Sequence, residues 1–185
     1  MHELGHVLGF NAQSLAHFRD PDTGRPLTPR DEHGDVPDGP VECTGTAPRP
    51  TATLPLPAPE ILQFRAVRGG VRAATVVTPT VRRVARNVLG CRTLAGAELE
   101  SGEGPRFGVA GGDVGDGDSD SDGDDPSPGD CLGDHWARRL FRTDLMNPIV
   151  DDVPSSLRVS ALTLAYFVDS GWYRAAAGEC VMETG

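Results

Sequence analysis

Two histidines four residues apart with a glutamate between them, His2-Glu3-Leu4-Gly5-His6, stand first in a chain of 185 residues. On a helix, residues four apart project from one face, so both imidazoles can take adjacent positions on one zinc ion while Glu3 sits beside the open one. Zinc lowers the pKa of its water to about 7, and a carboxylate there can accept that proton as the water attacks a peptide carbonyl. The same five residues also fit a surface helix with two solvated histidines. A third ligand separates the two readings.

His6-Val7-Leu8-Gly9 extends the pattern to H-E-x-x-H-x-x-G, which resembles the metzincin zincins, where the glycine breaks the helix so that the chain can return a third histidine. In the compact form of that pattern the ligand is at position 12, and here it is Ala12. The ligand must come from further away: His17, His33, His135 or the carboxylate of Glu60. His17 lies on or just beyond the same helix, and His33 sits in a Pro/Gly/Asp loop where solvation is usual. His135 is preferred, because Asp144-Leu145-Met146-Asn147-Pro148 follows it, placing a methionine in a tight turn as an apolar floor for a metal.

With these residues the chain resembles the leishmanolysin family of zinc endopeptidases, whose third histidine is delayed by a long insertion. The resemblance runs through residues 2–10, through Val76-Val77-Thr78-Pro79-Thr80-Val81 and through Gly90-Cys91-Arg92-Thr93-Leu94-Ala95-Gly96-Ala97-Glu98-Leu99-Glu100. It continues in His135-Trp136-Ala137-Arg138-Arg139, the Met146 turn and residues 162–173. It implies that His2, His6 and His135 hold one zinc ion, that Glu3 is the general base and that Met146 is the Met-turn residue. It also implies peptide or protein substrates, an exported or membrane-associated setting, and an α+β, metzincin-type zincin fold with a mostly helical C-terminal portion and long irregular loops. Three departures stand out. The family's preceding sheet, which holds substrate in extended form, is not in this chain; the stretch before His135 is swollen by aspartates; and the Cys-rich C-terminal portion is not present.

The elements that must position these groups follow from periodicity. Residues 1–18 predict the zinc helix, with Leu4, Val7, Leu8, Ala12 and Leu15 at helical spacings. Residues 19–59 are Pro-rich and predict a surface loop. Residues 60–100 predict a strand at 74–77, then a helix capped by Thr78 with Pro79 at its first position and Val81, Val84, Ala85, Val88 and Leu89 on its apolar face. Residues 101–134 predict a disordered acidic insertion. Residues 135–175 carry the third ligand, the Met-turn and a last helix capped by Ser155 or Ser156, with Leu157, Ala161, Leu164, Ala165 and Val168 in its repeat. Gly171 stops that helix and Trp172-Tyr173 form an aromatic lock.

The formal net charge of -10 is concentrated, since nine Asp and no Arg or Glu fall between Asp113 and Asp134, leaving 17 basic and 18 acidic groups elsewhere. All 17 basic residues are Arg, and no dense Arg cluster stands out in the sequence, which argues against a nucleic-acid footprint. Asp118, Asp120, Asp122 and Gly123 match the start of an EF-hand loop, but position 12 of that loop is Gly129 and not the bidentate Glu a calcium site requires. Cys43, Cys91, Cys131 and Cys180 are too widely spaced for a paired zinc motif and allow three disulfide pairings, as expected of an extracellular protein. No window is apolar enough for a membrane span, and nothing in the chain directs it to a compartment. The competing functional classes are a non-catalytic zinc-binding or adhesion module and a fragment that needs a preceding sheet to fold.

Overall fold

The computed structural model describes residues 1–101, 131–148 and 158–174, and within them the single helix expected over 1–18 is two. Helix α1 (His2–Val7) ends where Gly9 takes φ 103°, and α2 (Ala12–Leu15) restarts under an Asn11 cap whose side chain accepts the Ser14 N–H at 2.8 Å. A positive φ is cheap for glycine and strained for other residues, so the break is written at that position. The expected apolar face is also corrected. Ala12 and Leu15 are buried, whereas Leu4, Val7 and Leu8 are exposed, Val7 to 81%, and the buried residue of α1 is Gly5.

The Pro-rich stretch is not all loop. Strands β1 (Asp38–Glu42) and β2 (Thr51–Pro55) form an antiparallel pair in which Val41 faces Ala52 and Pro40 faces Thr53. Both strands of a two-stranded sheet are edges, so prolines are tolerated there, and period-two burial of Ala52 and Leu54 supplies the packing. A second antiparallel sheet has the order β3 (Leu62–Ala66), β4 (Arg72–Val76), β5 (Ala97–Glu98), with a 3-10 turn at Arg68–Gly70 joining its first two strands. The strand expected at 74–77 falls on β4.

Helix α3 (Pro79–Val88) starts where the sequence places it, with Pro79 in the first turn and Val81 and Ala85 buried. Thr78, however, makes no side-chain cap. Asp169 Oδ2 takes that role from across the core, accepting Thr80 N–H at 2.7 Å and Val81 N–H at 2.9 Å. Asp169 ends α4 (Ala161–Asp169), whose own cap is Ser160, accepting the N–H groups of Leu162 and Thr163. Ser155, Ser156 and Leu157 lie outside the described residues. The buried side of α4 is Leu162, Thr163, Ala165, Tyr166 and Asp169, with Leu164 exposed, so the face differs in part from the expected repeat. Residues 133–148 are turns and isolated bridges, which replaces the expected mostly helical C-terminal portion among the described residues.

The architecture is α+β. Phe10, Phe18, Trp136 and Tyr166 form its aromatic centre, with Phe10 4.4 Å from Tyr166 and 5.0 Å from Trp136 between ring centroids. Cys43 and Cys131 form a disulfide across 88 residues, Cys91 is a free thiol, and Cys180 lies outside the described residues, as does the EF-hand-like stretch at 118–129. Among the described residues, no helix is long and apolar enough to cross a membrane. The absence of an Arg cluster is corrected too: Arg82, Arg83, Arg86 and Arg92 line one pocket beside α3.

Candidate metal centre

Three imidazoles from two distant parts of the chain converge. The Nε2 atoms of His2, His6 and His135 stand at 3.2 Å from one another in all three pairs. Each ring is fixed from behind. His2 Nδ1 donates to the Leu145 carbonyl at 2.6 Å, His6 Nδ1 donates to the Phe10 carbonyl at 2.8 Å, and His135 Nδ1 donates to the Glu100 carboxylate. Carbonyl and carboxylate oxygens only accept, so each Nδ1 carries the proton and each Nε2 presents a lone pair to the other two. Three lone pairs that close repel one another unless a cation lies between them. A tetrahedral ion with bonds of about 2.0–2.1 Å to imidazole requires donor atoms roughly 3.3 Å apart, and this donor set fits it.

Local sequence explains each placement. The α1 spacing presents His2 and His6 together, and the turn at Gly9 brings Phe10 back so that its carbonyl meets the His6 ring. Tyr166, buried in the core, donates its hydroxyl to the carbonyls of Gly9 and Asn11, and Tyr173 donates to that of Leu8 at 2.7 Å, so the break is held from α4 and the chain after it. Burial pushes the Tyr166 phenol far above its usual range, keeping it a donor. Trp172 completes the expected lock by donating to the His17 carbonyl at 3.2 Å, with Arg19 over its ring.

His135 is gripped at both ends by one residue. The Glu100 N–H donates to the His135 carbonyl at 2.8 Å while the Glu100 carboxylate takes the ring proton. The neighbouring Asp134 accepts the Ala12 N–H at 2.6 Å, tying the His135 segment to the start of α2. Trp136 N–H donates to the Met146 carbonyl at 2.9 Å, and its indole donates to Thr163 in α4.

Met146 is fully buried against α1 at Gly5, where an added Cβ would overlap its sulfur. Glycine between the two helix histidines is therefore what lets the methionine approach. The turn is built on Asp144, whose carboxylate accepts from Met146 N–H at 2.7 Å, from Thr163 at 2.8 Å and from Ser160. Burial raises the Asp144 pKa above the ordinary 3.8 in spite of these donors.

Glu3 is exposed one residue on from His2, and no hydrogen bond or ion pair engages its carboxylate among the described residues. His17, His33 and Glu60 stand apart from the cluster. His17 faces Arg30, and its pKa is lowered by partial burial and then by Arg30 and Arg19. His33 is exposed beside Glu32. Residue types gave no role to Glu100, although it lies in a block that carried the family resemblance, and backbone acceptors such as Leu145 and Phe10 leave no residue-type signal at all.

Along most of its length the chain is similar to leishmanolysin-like peptidases. It is 31% identical over 179 residues to one from Drosophila pseudoobscura pseudoobscura, covering 94% of this chain and 21% of that protein. It is 31% identical over 177 residues to one from Caenorhabditis briggsae, covering 94% of this chain and 22% of that protein. One from Drosophila melanogaster is 30% identical over 179 residues, covering 94% of this chain and 21% of that protein. The resemblance carried by the motif blocks thus extends over nearly the whole chain, which spans about a fifth of the length of these curated relatives. No protein-family model matches the chain. No solved structure matches it.

Proposed function

We propose that this chain carries the metal-binding part of a zinc-dependent endopeptidase of the leishmanolysin-like, metzincin kind. The observation that supports this most strongly is the triangle of Nε2 atoms with all three Nδ1 protons committed to acceptors behind them. Zinc held there supplies a Lewis acid that acidifies water and polarises a peptide carbonyl. His2, His6 and His135 are its ligands, and Glu100 raises the basicity of His135 and fixes its ring. Glu3, without a side-chain partner among the described residues, accepts the proton of the attacking water and returns it to the leaving amine. Met146 closes the floor beneath the histidines and keeps water from that side. The substrates are peptides or proteins, and the Cys43–Cys131 disulfide suits an oxidising, extracellular setting.

The test is peptide hydrolysis alongside zinc stoichiometry, on this chain and on a form extended at its N-terminus. Glu3→Gln is expected to lower turnover by about 10²- to 10⁴-fold with zinc retained. Turnover that survives Glu3→Gln would remove Glu3 as the base. One tightly held zinc with no cleavage in either form would instead favour a module in which the metal only fixes the fold.

A further inference from the structure

A second concentration of charge lies away from the histidines. Between Ile61 and Ala97 the sequence carries seven Arg and no acidic residue. The fold gathers four of them: Arg82, Arg83, Arg86 and Arg92, with Pro79 and Asn87, line a pocket of about 350 Å³. The helical period explains three, since residues 79, 82, 83 and 86 form one stripe of α3 opposite the buried Val81 and Ala85. The turn after α3 returns Arg92 to the same stripe.

Two observations separate this cluster from an ordinary solvated face. Such faces alternate charge sign, and like charges at a spacing of four destabilise a helix. Here Arg82 and Arg86 have that spacing, and no carboxylate pairs with any of the four among the described residues. Arg86 is also pre-positioned: it is half-buried, and its Nε donates to the Leu94 carbonyl at 2.8 Å, leaving the two terminal nitrogens for another partner. The positive field reaches Cys91, whose thiol pKa is lowered chiefly by its hydrogen bonds to Thr93, with Arg86 a lesser cause.

We infer that this pocket binds a small, multiply charged phosphate or sulfate ester. Guanidinium groups match such oxyanions with paired N–H donors, and four of them around one hollow can neutralise several charges at once. The hollow is open to solvent, so a compact polyanion can enter it and meet several guanidinium groups at once.

Calorimetric titration of the full chain with fructose 1,6-bisphosphate tests it, since this compact bisphosphate competes little for zinc. Saturable one-to-one binding is expected, with the Kd raised at least tenfold in Arg82→Gln/Arg83→Gln and also raised in Arg92→Gln. Arg65→Gln, an exposed arginine outside the pocket, is expected to leave binding unchanged. All the substituted arginines are exposed, and far-ultraviolet dichroism checks that each variant folds. No saturable binding by the unaltered chain, an unchanged Kd in the double variant, or an equal loss in Arg65→Gln would overturn the inference. So would binding seen only with phosphatidylcholine vesicles containing phosphatidylinositol 4,5-bisphosphate, which would assign the arginines to a membrane surface.

Discussion

Helices α1 and α3 are held in place by opposite means. The longer one, α3, buries Val81 and Ala85, begins on Pro79 and has its first N–H groups capped by Asp169 from α4. The shorter, α1, has six residues, turns Leu4 and Val7 outward and buries only Gly5. A helix that short has no stability of its own in water. Its fixed points are polar: the His2 and His6 rings against the carbonyls of Leu145 and Phe10. Apolar packing thus sets the frame, and the chemistry of the site sets the helix that carries it.

That contrast can be broken in order of effect. His135→Ala removes one of the three proposed ligands without altering any residue of α1 itself, and is expected to abolish stoichiometric zinc and to speed amide exchange across α1 while α3 stays protected. Equal exchange in both helices would erase the distinction. Glu100→Gln keeps the shape of the acceptor and removes its charge, and is expected to weaken zinc by about 10- to 100-fold, measured by competition with a chelator. Asp169→Ala strikes the other helix: it should lower folding stability by about 1–2 kcal/mol in chemical denaturation and leave zinc affinity unaltered.

The smallest effect concerns His17, which lies outside the cluster. Its folded pKa is lowered below 6.5, by partial burial first and then by Arg30 and Arg19, so the unfolded chain takes up the proton at higher pH. The contribution to stability is therefore present above 6.5 and lost as pH falls through that value toward the folded pKa. Imidazole NMR should show His17 titrating below 6.5 and insensitive to zinc; a midpoint at or above 6.5 would contradict this.

How much of this was legible in the sequence depends on range. The pairing of His2 with His6 is local, governed by helical period, and is read directly; the break at Gly9 is carried only by the family-like pattern, since periodicity alone runs one helix through it. His135 is reached through the Met146 turn that follows it and then through the family-like blocks, because no periodicity links residues more than a hundred positions apart. The Nδ1 acceptors were not legible, two being backbone carbonyls and the third, Glu100, becoming meaningful only when the chain folds back on it. Composition misled at β1 and β2, where Pro40 and Pro55 hid a strand pattern in Ala52 and Leu54. It misled again at Arg82, Arg83, Arg86 and Arg92, which a turn after the helix brings together.

The close pairing of residues 98–100 with 135–137 bears on how the chain can change over generations. Leu99 bridges Trp136, Glu100 N–H meets the His135 carbonyl at 2.8 Å, Ala137 N–H meets that of Glu98 at 2.9 Å, and Cys131 is bonded to Cys43. Both ends of the intervening 102–130 segment are thereby clamped, independently of its length or composition. For a flexible chain closure costs only about 0.6 kcal/mol more per doubling of length, so flanking clamps of this kind hold His135 without calling on the residues between them. A change between residues 101 and 131 therefore need not disturb the three imidazoles, whose placement is set by residues on either side of that stretch.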